Sequence, residues 1–272
     1  MKKHSVAVFA ALFLFVAGTL LVAQQAPKAP AKQPQAKTQQ EYDAFVKFNT
    51  EQDYAKKVVA GEQFEKDFPN SELTVPFVYP QMVVSYQQLN SYEKTVEFGE
   101  KILRADPANT FALFMLALVI PERIKDDDLD RQQKLDQTTG YAKKLLELSP
   151  TLQKPVQFTD EQFKAQKAQL EGGAHSALGF VALHKKNYDE AIAEYKKSVE
   201  IFPKDAISFY RLGLCYSFAK KDDEAIKVLA TAVAMNGPPQ AKSFLEQLYK
   251  AKNGGSLDGL DKVISQAAAN VK

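Results

Sequence analysis

The chain has 272 residues, 45% of them hydrophobic and 25% charged, a balance that suits a folded core of one or two domains. A single cysteine and the absence of tryptophan exclude a disulfide-stapled or aromatic-dense design. The formal charge of +2 is matched by Lys2 and Lys3, which leaves no excess of cations for phosphates and excludes nucleic acid as a partner class.

Residues 1–23, MKKHSVAVFAALFLFVAGTLLVA, join a basic start to an apolar run from Val6 to Ala23. This is the pattern of a secretory signal peptide with cleavage after Ala23. Leu21 is large where a small residue is usual, so an uncleaved membrane anchor over residues 5–23 is the alternative. Either reading places the rest of the chain outside the cytoplasm, periplasmic or secreted, with membrane contact confined to this segment. No cysteine follows the apolar run to serve as an acylation site. Residues 24–37, QQAPKAPAKQPQAK, carry Pro27, Pro30 and Pro34 and no large apolar side chain, so they read as an extended linker.

From Thr38 onward apolar residues recur at spacings of three and four, which predicts helix almost throughout and an all-α fold. The stretch LGFVALHKKNYDEAIAEYKKSVEIFPKD, residues 178–205, reads as a helix, a turn at Lys185–Asn187, a second helix and a stop at Pro203. Its landmarks Leu178, Gly179, Ala191 and Tyr195 recur 34 residues later as Leu212, Gly213, Ala225 and Leu229. Upstream, Tyr86, Tyr92, Ile102 and Pro107 fit the same frame with Thr95 in the small-residue position. Phe48, Tyr54, Phe64 and Pro69 fit it more loosely with Lys57 there, and Leu113, Leu116, Ala117, Leu145 and Pro150 form a copy with Thr138 there. That copy is stretched by about nine residues around Lys125–Gln133.

This helix–turn–helix period resembles the tetratricopeptide repeat family. The resemblance implies a right-handed superhelical solenoid of about five antiparallel helix pairs. Residues 38–152 form divergent hairpins with an insertion at 121–137, and residues 153–239 hold a long helix and the well-matched repeats 172–205 and 206–239. Residues 240–272 are expected to supply the more polar capping helices that a solenoid end needs. The small residues Gly179, Ala182 and Ala191 sit where the two helices of a pair approach, while Tyr195 and Val199 fill the space toward the next pair. Leu178, Leu212, Gly213, Tyr216 and Ala225 repeat these structural roles. Cys215, between Leu214 and Tyr216, reads as a small buried hydrophobe.

Three stretches depart from the period. In PERIKDDDLDRQQKLDQ, residues 121–137, Pro121 stops a helix and a charged loop follows. Asp126, Asp127, Asp128 and Asp130 lack the alternation and the glycine of a calcium loop, so a solvated loop or partner contact is expected. At residues 158–186, Thr159 reads as an N-cap with Gln162 as its capping-box partner, opening a long helix that Gly172-Gly173 kinks or thins, the alternative being two helices broken at these glycines. Near the C-terminus, Asn253-Gly254-Gly255 ends a helix and Ser256 is expected to cap a short last one.

Nothing in the sequence spells catalysis. His175 and His184 are nine residues apart, not the i, i+4 pair of a helical zinc site. No Cys-x-x-Cys, glycine-rich phosphate loop or nucleophile elbow occurs. The reading is therefore a non-enzyme without cofactor or metal that binds a protein or peptide. The resemblance implies a concave groove lined by first helices, which here carry Phe180, His184, Tyr210, Arg211, Leu214 and Phe218. It does not resemble the carboxylate-clamp subtype, which places Lys and Asn where Phe180, Tyr210 and Leu214 stand. The alternatives are a membrane-tethered envelope-assembly factor and a ligand-binding protein or enzyme with a pocket at the long helix and the 121–137 loop.

Overall fold

The computed structural model describes residues 34–271, so the signal-peptide or anchor reading and most of the linker lie outside the described residues. Within them every regular element is helical, and no helix is long and apolar enough to cross a membrane. The chain divides into two compact units, residues 34–165 and residues 166–271, with the division falling inside one helix.

The first unit contains α1 (Gln39–Thr50), α2 (Tyr54–Asp67), α3 (Tyr79–Gln88), α4 (Tyr92–Ala105), α5 (Thr110–Val119) and α6 (Arg131–Leu148). Each packs against its neighbours in chain order, so the unit is a stack of antiparallel pairs. Short polar residues start several of these helices by satisfying an orphan amide. Thr38 Oγ1 accepts from Glu41 N–H at 3.1 Å, Asp53 from Lys56 at 2.9 Å and Asn109 from Ala112 at 3.1 Å. Phe48, Phe64, Met82, Phe98, Ile102, Leu116, Leu135 and Leu145 form the buried spine. On the flank, the Tyr79 and Tyr86 hydroxyls donate to Glu65 at 2.7 Å and Glu62 at 2.6 Å, and Lys101 joins Glu65 to Glu97.

The small-residue positions behave as their chemistry dictates. Thr95 and Thr138 are buried, and each returns its hydroxyl to the backbone carbonyl four residues earlier at 2.8 Å. Lys57 is too long for that solution. Its stem is half-buried, its ammonium lies 5.7 Å from the Phe48 ring and donates to Gln81 Oε1 at 3.1 Å, and burial pushes its pKa down.

The insertion is shorter than the sequence suggested. Residues 131–137 form the first two turns of α6 and are not loop. The irregular part is anchored by buried Ile120, Pro121 and Ile124. Asp128 accepts from Lys125 N–H and from Lys134 Nζ, each at 3.1 Å, and Asp130 accepts from Lys134 at 2.9 Å. Asp128 and Asp130 thus serve as partners for Lys134, Asp128 also for the loop backbone, while Asp126 lies 3.8 Å from Arg131 Nε.

α7 (Asp160–His184) begins with the reciprocal capping box: Thr159 N–H donates to Gln162 Oε1 at 2.9 Å and Gln162 N–H to Thr159 Oγ1 at 3.2 Å. It runs 25 residues without a break at Gly172-Gly173. Gly172 is there for packing, because a Cβ on it would stand 2.6 Å from Phe202 Cβ.

From Gln166 on, α7 belongs to the second unit together with α8 (Tyr188–Ile201), α9 (Ala206–Phe218), α10 (Asp222–Ala234), α11 (Pro239–Lys252) and α12 (Leu260–Asn270). Lys186 and Lys220 take left-handed φ of 60° at the two corners, where the chain reverses after α7 and after α9. α11 and α12 both lie against α10, joining Leu245, Leu260 and Ala267 to Ala225, Ile226 and Leu229 in one apolar cluster. Ser256 does not cap α12. Its Oγ accepts from Asp258 N–H at 2.9 Å inside the turn, and Gly259, at φ 86°, is the N-cap.

Candidate binding face of the second unit

Close packing sets the positions of the candidate residues. Gly179 leaves room inside its own helix pair for the Tyr195 ring, since a Cβ there would meet Tyr195 Cδ2 at 2.9 Å. One repeat later Gly213 does the same for Leu229, at 2.5 Å from Leu229 Cγ. Tyr195 therefore fills its own pair, and it also reaches the next one through Leu212 and Cys215. Ala182, Ala191, Leu212 and Ala225 are buried, Leu178 and Tyr216 half-buried, and Pro203 exposed just past the end of α8.

Below this apolar layer lies a buried polar knot that the sequence did not reveal. Ser176, Ser198 and Ser208 come from α7, α8 and α9, and all three are buried. Ser208 Oγ lies 2.5 Å from Asp205 Oδ2, 2.9 Å from Ser176 Oγ and 3.0 Å from Ser198 Oγ. A carboxylate can only accept and a hydroxyl has one proton. Ser208 therefore donates to Asp205 and accepts from the other two. Asp205 also accepts from Ile207 N–H at 3.0 Å, which opens α9. Serines spaced along three helices are invisible as a set until the helices are stacked.

The six predicted groove residues are brought together only in part. Arg211 Cζ lies 4.2 Å from the centroid of the Phe180 ring, and His184 meets the same ring edge-on at 4.7 Å. These three form one group across α7 and α9. Phe218, 49% exposed, leans on Tyr188 at 5.3 Å, a residue the sequence reading passed over. Leu214 is half-buried on α9, between Arg211 and Phe218 by helical spacing. Tyr210 is different. It packs against the cluster of Ala225, Leu229 and Leu245, and burial raises its pKa. Its position is partly a core position.

Two other features flank this face. His175 Nδ1 lies 2.6 Å from Glu194 Oε2, and Lys197 donates to Glu194 Oε1 at 2.8 Å. Burial pushes the Glu194 carboxyl up, but hydrogen bonds from Lys197 and His175 overcome it and hold the pKa below the usual carboxylate range. The Cys215 thiol is pushed up to about 12 by burial, as expected of a packing residue. Among the described residues no cluster of three or more His, Cys, Asp or Glu could hold a metal ion. The clefts of the first unit include two shallow ones. One, of about 420 Å³, is lined by Leu103, Pro107, Leu113 and Tyr141 with Arg104 and Lys144. The other, of about 270 Å³, lies where Asp130 and Lys134 meet Tyr92 and Val96.

Comparison with known proteins agrees with this architecture. Residues 171–237 match the tetratricopeptide repeat family. No curated protein matches the chain in sequence. Among solved structures the fold is similar to MamA from Desulfovibrio magneticus RS-1, with a TM-score of 0.54, 12% identity and coverage of 74% of this chain and 97% of that one. It is also similar to a thermophilic tetratricopeptide repeat protein, TTC0263, from Thermus thermophilus, with a TM-score of 0.50, 14% identity and coverage of 78% and 98%. At such identities the likeness is one of fold, and it spans both the strong and the divergent repeats. With its stacked helix pairs, its glycine–tyrosine packing and the match over residues 171–237, that part of the chain carries tetratricopeptide repeats, and the fold is that of an all-α tetratricopeptide-type solenoid.

Proposed function

We propose that the chain is a non-catalytic interaction scaffold of the cell envelope, and that the α7–α9 face receives a peptide or protein segment. The fold supports the scaffold role, because stacked helix pairs present long continuous faces of first helices. The arrangement of Arg211 over the Phe180 ring, with His184 on its edge and Phe218 exposed nearby, carries the assignment of the face. Such a surface suits a segment with an apolar side chain next to a carboxylate: the rings supply apolar area and the guanidinium supplies charge. The sequence of residues 1–23 supports export.

The test is capture from an envelope extract with immobilised full chain, followed by identification of the bound proteins. His184→Ala, Arg211→Gln and Phe218→Ser together should abolish specific capture while leaving the melting temperature unchanged. Tyr210 is left intact because it packs in the core. Equal capture by this variant would overturn the assignment of the face. A membrane-tethered form is favoured by the 18-residue apolar run Val6–Ala23, and N-terminal sequencing of the exported protein decides it: a start at Gln24 excludes the tether.

A further inference from the structure

The first unit carries an exposed apolar stripe that the sequence reading did not identify. Tyr42 and Val46, 53% and 38% exposed, are one turn apart on α1. Phe45 turns inward between them, with its ring 6.2 Å from Phe64 and 6.1 Å from Phe77. Phe77, 40% exposed, thus stands beside α1 and extends the stripe. One turn beyond Val46, Asn49 accepts a hydrogen bond from Gln81 at 3.0 Å, so amides border the apolar part.

An irregularity places Phe77 there. Tyr54 and Tyr92, which open α2 and α4, are 38 residues apart, whereas the strong repeats have a period of 34. The additional residues form a π-helical turn, Thr74–Val78, immediately before α3. Such turns are uncommon and are often kept where they re-aim a side chain for binding.

We propose that this stripe is a docking seat for an extended proline-rich segment, and that the occupant is residues 24–33 of the chain itself. Three observations support that choice. The described chain begins at this end of the stripe: Pro34 is half-buried, and Lys37 fastens the backbone by donating from Nζ to Asn70 O at 2.9 Å and from its N–H to Glu41 Oε2 at 2.6 Å. Ten residues at ~3.1 Å each reach about 31 Å, more than the ~18 Å of α1. The segment QQAPKAPAKQ has proline rings as its main apolar side chains, with Pro27 and Pro30 three positions apart in the sequence, and proline rings pack on exposed aromatic side chains.

Trypsin tests this on the full chain, because Lys28 and Lys32 lie inside the segment. Tyr42→Ser, Val46→Ser and Phe77→Ser together should speed cleavage after Lys28 and Lys32 by about fivefold or more, with other cleavage sites unchanged. Pro27→Ser with Pro30→Ser leaves the helices untouched and should have the same effect, so loss of folding in the first variant cannot mimic the result. Excess synthetic QQAPKAPAKQPQAK should also raise the rate by competing for the seat. Wild-type rates in both variants overturn the proposal. Protection that disappears on dilution also overturns it, since the segment would then come from a second copy.

Discussion

Tyr195 occupies the volume that Gly179 vacates: a Cβ on Gly179 would stand 2.9 Å from Tyr195 Cδ2 and 3.0 Å from its Cε2. Tyr195 is fully buried, so its ring has nowhere to retreat. Gly179→Ala is expected to destabilise the second unit by about 1–3 kcal/mol, the range for overpacking a full core. Tyr195→Leu in the same chain should recover part of that loss. Urea denaturation of the four members of the cycle checks both statements, and additive effects would show that the two residues do not share this volume.

Removing one hydroxyl from the serine knot should cost more than its own hydrogen bond. Ser208→Ala leaves the buried Ser176 and Ser198 hydroxyls without this acceptor and Asp205 with only the Ile207 N–H as donor, an expected loss of about 1–3 kcal/mol. Replacing all three serines by alanine removes the stranded donors as well, so the triple variant should lose less than the sum of the single ones. Chemical denaturation of the series measures this.

The depressed pKa of Glu194 has a defined sign in stability. A carboxyl whose folded pKa lies below its unfolded value, about 4.3, stabilises the fold fully above that value. The contribution is lost as the pH falls through the folded pKa. Glu194→Gln should therefore be less stable than the wild type at neutral pH, and the difference should shrink as the pH is lowered below about 4. Melting curves across that interval test it, and a difference independent of pH would contradict the assignment.

Cys215 should be silent in the folded protein. With its thiol buried and its pKa pushed up to about 12, it should not react with a disulfide reagent at mildly alkaline pH. Addition of concentrated guanidinium chloride should release one reactive thiol per chain. Prompt reaction under native conditions would show that the α7–α9 layer opens.

The helical period, the corners and the repeat were all legible in the sequence, because they rest on local chemistry. Spacings of three and four make a helical face, proline stands at the ends of α-helices and not in their interiors, and the Thr159–Gln162 capping box needs only its own four residues. The landmark positions in the strong repeats could likewise be read by self-comparison.

What packs into what was decided by tertiary structure. Seven residues into their helices, α8 and α10 carry Tyr195 and Leu229, which fill the space over Gly179 and Gly213 in their own pairs. At the same place α2 and α4 carry Gly61 and Gly99, which receive Met82 and Leu116 from the next pair, Gly61 with Phe48 of its own pair beside it. One period thus supports two opposite allocations of volume, and only the stacked helices show which is used. The same holds for function. Arg211 and Phe180 are 31 positions apart, and Tyr42 and Phe77 are 35 apart. A sequence pattern records the face a residue takes on its own helix. Which faces meet depends on the crossing of the helices, which is set by side-chain volumes summed across the whole stack.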